Sequence, residues 1–146
     1  MNLPIKKIEL KLWTSLREGS STDGRVYLGL AGREYAVNAQ GNFNDFQPDA
    51  DAVTYVFGDG ANVDRREDND PRTPWQTDAA DITRCPKYLR FAPLGNDDNW
   101  DVERADLTVW FKGTGPGAVD QQIHFTRLGS GPHLWLGVQR GQFLYF

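Results

Sequence analysis

Residues 21–37 read STDGRVYLGLAGREYAV, and the second half of that stretch decides the fold class. Val26, Leu28 and Leu30 alternate with Tyr27 and Gly29, the period of two that gives a strand one buried face. Ala31–Gly32 then supplies a two-residue turn, and Arg33 to Val37 can return as the hairpin partner. The same period recurs outward from this hairpin. Ile8, Leu10 and Leu12 alternate with Lys7, Glu9 and Lys11, and Ala52 to Phe57 (AVTYVF) is β-branched and aromatic. Tyr88 to Phe91, Leu107 to Phe111, Gln122 to Arg127, Leu134 to Val138 and Phe143 to Phe146 bring the expectation to about eight to nine short strands. No segment keeps a 3.6-residue apolar stripe beyond a turn or two, and 15 Gly and 8 Pro interrupt any long helix. The expected fold is an all-β antiparallel sandwich. Its inner faces should carry Leu10, Leu12, Val26, Leu28, Val53, Tyr55, Leu89, Phe91, Leu107 and Val109.

The 146 residues read as a single domain, 1–146, with a core large enough to stand without staples. Two segments break the strand pattern. Gly58 to Pro86 is a polar insertion too long for a hairpin loop, hence functional or mobile. Lys112 to Val119 (KGTGPGAV) is a flexible connection to the last strands, within 120–146, which either finish the sandwich or form a small added sheet.

Composition excludes several classes. Hydrophobic residues are 39% and charged residues 25%, a soluble globular balance. No run approaches the roughly 18 apolar residues of a membrane span, and MNLPIKKIEL places charge where a signal peptide needs apolar residues, so a cytoplasmic location is the default expectation. Cys85 alone allows neither an intramolecular disulfide nor a multi-cysteine zinc site. A net charge of −4 argues against nucleic acid, which calls for a basic surface. The acid is uneven: residues 45–106 carry 15 acidic and 7 basic side chains, a net of −8. Short carboxylates in loops suit turn formation or a hard cation such as calcium.

Catalytic chemistry is poorly supplied, and the expectation is a chain that is not an enzyme. None of the four serines (Ser15, Ser20, Ser21, Ser130) lies in a G-x-S-x-G elbow. His124 sits in mid-strand, which favours a structural role, and His133 follows Pro132 at a strand start, where exposure is expected. Neither fits a zinc-hydrolase pattern. A pair of carboxylates across a cleft would suffice for a glycosidase, but nothing singles out a pair, so a small hydrolase ranks last.

Two segments carry the informative constellation. The first, Ser21 to Gly32, is a small-residue turn with one acid feeding a strand; the second, Asn96 to Val109 (NDDNWDVERADLTV), is an acid–amide turn with a Trp entering another. Over about residues 6–111 the chain resembles the PLAT (LH2) family, a C2-like β-sandwich found in lipoxygenases, lipases, polycystins and a bacterial phospholipase toxin. Thr22, Asp23, Val26, Tyr27, Leu30 and Gly32 match its first motif, G-T-D-A-x-V-Y-x-x-L-x-G. Asp98, Asn99, Trp100, Val102, Leu107 and Val109 are compatible with its second, D-N, a short loop, then W-x-L-x-x-V-x-V; here Trp100 follows Asn99 directly. The insertion 58–86 and the strands of 120–146 lie outside the usual module.

The resemblance implies a binding or targeting module for a membrane lipid surface or a protein partner, assisted by calcium. Its side-chain ligands would be Asp23 and Asp98, with Asp97 beside them and the Gly24 carbonyl in reach; Asp45, Asp49 and Asp51 would form a second site on the same rim. Turn capping is the competing reading of each. Trp100 in the second motif and Trp75 in the polar insertion are the candidate ligand-binding aromatics. An indole such as that of Trp75 can enter a membrane interface, meet a protein or stack on a sugar, so a carbohydrate-binding or protein-interaction sandwich without calcium is the alternative. Trp13, Trp110 and Trp135 fall in strands and read as packing.

Overall fold

The computed structural model describes residues 3–146. Nine strands and one short helix follow in chain order: β1 Ile5–Thr14, β2 Arg25–Leu30, β3 Arg33–Ala36, β4 Val53–Gly58, α1 Ala79–Arg84, β5 Tyr88–Ala92, β6 Asn99–Phe111, β7 Gln121–Leu128, β8 Leu134–Gly137 and β9 Phe143–Tyr145. They form two antiparallel sheets, one ordered β4-β1-β6-β7 with β8 also on β6, the other β3-β2-β5-β9. The all-β sandwich expected from the alternation is the observed fold.

The core comes from that alternation meeting in register. Leu10 lies between Leu107 and Tyr55, and Ile8 between Val109 and Phe57. In the facing sheet Val26 pairs with Phe91, and Leu28 lies between Leu89 and Tyr35. All of these side chains are buried in one cluster. Val53, at the mouth of β4, is half-buried. Trp13, Trp110 and Trp135 stand on sheet surfaces, each under a cation: Arg104, Lys7 and Arg140, at 4.9, 4.6 and 5.3 Å from the ring centres.

The strands of 120–146 finish the sandwich rather than adding a separate sheet. β7 pairs with residues 104–111 of β6 and β8 with residues 99–102, so the two form one interrupted edge. The interruption follows from the sequence LGSGP: Leu128, Gly129 and Gly131 all have positive φ. β9 then crosses over to close the other sheet against β5.

The insertion beginning at Gly58 is pinned against the β3–β4 side. Gly58 turns at φ 87°, where a Cβ would meet the Lys6 carbonyl at 2.5 Å. Arg33, at the start of β3, donates to the carbonyls of Asp68, Asp70, Thr73 and Trp75. Val63, Pro71 and Ile82, all within the segment, are buried. One guanidinium with four acceptors replaces the ladder that a long loop lacks.

Candidate functional site

Register brings four loops to one end of the sandwich. β1 ends and β4 begins there, as Leu12 opposite Val53 requires; β2 begins where β5 ends, as Arg25 opposite Ala92 requires; and β8 ends where β6 begins. The end is therefore built from residues 15–24, 37–52, 93–98 and 138–142. Backbone bonds tie this end together: Thr22 N–H donates to the Phe46 carbonyl on another loop, and Asp101 N–H, at the start of β6, to the carbonyl of Ser20.

Asp98 organises this end. Its Oδ1 accepts from the Thr22 hydroxyl at 2.6 Å and its Oδ2 from the Leu94 N–H at 2.8 Å. Thr22 Oγ1 in turn accepts from the Gly24 N–H at 2.8 Å. A Cβ on Gly24 would stand 2.8 Å from Asp98 Oδ2, so glycine is what the carboxylate leaves room for. Thr22, Asp23, Asn44, Gln47, Leu94 and Asp98 line a cavity of about 320 Å³. A second cavity of about 540 Å³ adjoins it through Thr22, Asp23 and Asn44 and continues past Arg25, Tyr27 and Asp45.

The expected ligand residues separate on this geometry. Asp23 and Asp98 share the smaller cavity, with Gly24 against Asp98, while Asp97 is exposed beside them. Asp45 accepts from the Tyr55 hydroxyl at 2.7 Å and the Ala39 N–H at 3.2 Å; burial, then the hydrogen bond to Asp45 and its charge, push the Tyr55 phenol far above its ordinary pKa. Asp49 accepts from the Asp51 N–H at 3.0 Å, a turn made by the pair itself. Among the described residues no three His, Cys, Asp or Glu side chains converge as a metal cluster. The side-chain oxygens of the smaller cavity are two carboxylates, the amides of Asn44 and Gln47 and the hydroxyls of Ser21 and Thr22, a set that fits a weak calcium site.

Trp100 requires a correction. Expected as a ligand-binding aromatic, it is fully buried, with its ring against Phe46 and Phe91 and its Nε1–H donating to Thr14 Oγ1 at 2.9 Å. The tryptophan next to the acid–amide turn points into the core, where its one polar atom finds a partner. Trp75, 75% exposed, stands on the insertion away from the four loops.

Two features were not expected from the sequence. Leu16, Phe43, Leu94 and Val138 are 67%, 51%, 70% and 44% exposed, one on each of the four loops at this end. The sequence signal for them is an apolar residue inside a turn rather than in an alternating strand. The second feature is Asp101, wholly buried, whose Oδ1 lies 2.7 Å from His133 Nδ1 while Arg17 Nη1 stands 3.7 Å from Oδ2. His133, expected exposed, is instead the hydrogen-bond partner of this buried carboxylate, and among the described residues no hydrogen bond reaches Oδ2. His124 bonds the hydroxyls of Thr108 and Thr126 at 2.8 and 3.0 Å on an exposed face.

No protein-family model matches the chain, and no curated protein matches it. Among solved structures it is similar to the alpha toxin from Clostridium absonum, with 18% sequence identity and a TM-score of 0.50. The likeness covers 84% of this chain and 31% of that one, so the chain spans about a third of the toxin's length. At this identity the likeness is one of fold. No helix among the described residues is long and apolar enough to cross a membrane.

Proposed function

We propose that this chain is a non-catalytic binding module that docks on a lipid surface through its four-loop end, with calcium offsetting the acid of the rim. One observation carries the reading: Leu16, Phe43, Leu94 and Val138 stand exposed on four separate loops at the same end, around Asp23 and Asp98. Single exposed apolar residues are ordinary, but one per loop around a polar rim is the arrangement of an interaction surface. The PLAT-like motifs supply Thr22, Asp23 and Asp98 at this same end, and the likeness in fold to part of a toxin agrees with such a module.

Asp23 and Asp98 would hold the calcium ion, with the amide oxygens of Asn44 and Gln47 as neutral donors. A site with two carboxylates belongs to the weak, millimolar class. The ion supplies positive charge where the rim would otherwise repel anionic headgroups over about a Debye length, roughly 8–10 Å. Sedimentation with phosphatidylserine-containing vesicles tests this: the protein should stay in the supernatant in chelator and pellet at millimolar calcium, and Asp23→Asn should remove the gain. Equal pelleting with and without calcium defeats the calcium part, and no pelleting in either defeats the lipid reading.

The second reading is a carbohydrate or protein-interaction module working through Trp75, favoured by that side chain's 75% exposure on a pinned segment. A glycan array with wild type and Trp75→Ala separates the two, because Trp75 lies away from the four loops.

A further inference from the structure

Three of the four sheet edges are closed or short. Along β4, the Asn62 side chain acts as a mock strand, with Oδ1 accepting from Val56 N–H at 2.8 Å and Nδ2 donating to the Thr54 carbonyl at 2.9 Å. Along β3, Asn69 Oδ1 accepts from Ala36 N–H at 2.7 Å. β9 has three residues, and Arg127 Nε donates to its Tyr145 carbonyl. β7 is the exception: eight residues, QQIHFTRL, with neither Lys nor Pro and, among the described residues, no strand paired across its outer side. Such an edge is a row of open donors and acceptors that chains usually blunt.

The register says which groups are open. Asp59 N–H donates to the Lys6 carbonyl and Asp49 N–H to that of Thr14, so the even-numbered residues of β1 aim their peptide groups at β4 and the odd-numbered ones at β6. Carrying this across the Glu9–Thr108 and Leu107–Phe125 pairs leaves Ile123 and Phe125 bonded to β6. Gln122, His124 and Thr126 then face outward. The Thr126 carbonyl takes one N–H from the Arg127 guanidinium, and its second acceptor position stays open.

We propose that the free edge of β7 pairs with β7 of a second copy of this chain, antiparallel about a two-fold axis at His124. The strand is palindromic in character around that residue: Gln-Gln-Ile before it, Phe-Thr-Arg after it. Pairing His124 with its own copy sets Ile123 against Phe125, Gln122 against Thr126 and Gln121 against Arg127, apolar on apolar and polar on polar. Arg127 is the strand's sole Lys, Arg, Asp or Glu, and it falls opposite an amide, so no such charge meets its like. Ile123, 38% exposed, and the half-buried Phe125 lie on the face where the pair would cover them. A two-fold normal to the sheet is the closed, self-complementary solution that an unrelated strand does not offer. It also points the two four-loop ends in opposite directions.

The test is mass in solution, by sedimentation equilibrium along a dilution series of the whole chain. The wild type should move from one chain toward two as concentration rises, as expected of a small, weak interface. His124→Lys and His124→Glu should each stay monomeric alone, and a mixture of the two should regain the dimer, because only a two-fold at residue 124 sets them face to face. Amide hydrogen exchange gives a measurement free of mutation: the N–H groups of Gln122, His124 and Thr126 should slow with concentration while those of Ile123 and Phe125 do not change. A wild type that stays monomeric throughout overturns the proposal. So does a His124→Lys chain that dimerises like wild type, or exchange at the three outward amides that ignores concentration.

Discussion

Leu94 gives the sharpest test of the four-loop end. It is 70% exposed, held in place by its own N–H bond to Asp98, so truncating it removes nothing that the fold uses. Burying a leucine in full contributes about 1.5–3 kcal/mol, at about 0.8 kcal/mol per methylene. Leu94→Ala deletes most of the part still available to a bilayer, which comes to about 1–1.5 kcal/mol, or about five- to tenfold in the partition coefficient. Leu16 is 67% exposed on a different loop, so the double variant should multiply the losses to about 30–100-fold. Partitioning onto sucrose-loaded anionic vesicles at millimolar calcium measures this directly. Val119→Ala is the control: that side chain is 82% exposed, but in the loop between β6 and β7 at the other end of the sandwich, and its loss should change nothing. If Leu94→Ala binds within about twofold of wild type, or Val119→Ala weakens binding equally, the four loops are not the docking surface.

Other perturbations test how the site is supported. His133→Ala strands the buried Asp101 carboxylate with Arg17 alone at 3.7 Å and should cost about 2–4 kcal/mol, read by calorimetry as a fall of about 6–12 °C in Tm; a change under about 1 °C refutes the pairing. Arg33→Ala removes the donor that four insertion carbonyls share, so limited proteolysis should cut within residues 65–76 well before the sheets unfold. The Arg90 guanidinium holds the Glu34 carboxyl below its ordinary pKa, against a smaller opposing effect of burial. That stability is present above the unfolded pKa and is lost as pH falls through the lowered folded one. Glu34→Gln should therefore flatten the acid side of the stability curve, by no more than about 0.5 kcal/mol because the pair is about a third exposed.

Where one face of a strand is buried and the other wet, the fold could be read directly. Leu10, Val26, Leu28, Leu89 and Leu107 alternate because each sheet has an inside, and all five lie in the core. β7 carries a weaker alternation because most of its side chains are exposed on both faces, so its pattern announces a strand but not an open edge. The insertion reads as functional or mobile because the arginine that anchors it lies on a different hairpin. His133 and Asp101 are 32 residues apart, and no local rule joins them. Trp100 departs from expectation for a related reason: an indole beside Asp-Asp-Asn reads as surface, but residues 100–102 of β6 are already buried.

The rim carboxylates show why turn formation and ligand binding are poor alternatives to set against each other. Asp98 is a turn former by any measure, with Thr22 on one oxygen and the Leu94 amide on the other. That use is also what lifts Leu94 into solvent and what sets Asp23 at the mouth of the shared cavity. Each oxygen accepts one hydrogen bond and keeps a second lone pair, so loop scaffold and cation donor are compatible in one group. Asp98→Asn separates the two roles. The amide oxygen can accept from Thr22 or from the Leu94 N–H but not from both, and its NH₂ then faces either the Leu94 donor or a Thr22 hydroxyl that must turn its hydrogen away, so one of the two bonds is lost or reversed even without calcium. Asp23→Asn, on an exposed side chain, carries no such cost. A scaffold-only rim predicts that Asp98→Asn weakens vesicle binding at every calcium level while Asp23→Asn leaves it intact; a cation-holding rim predicts that Asp23→Asn abolishes the calcium response with the calcium-free melting temperature unchanged.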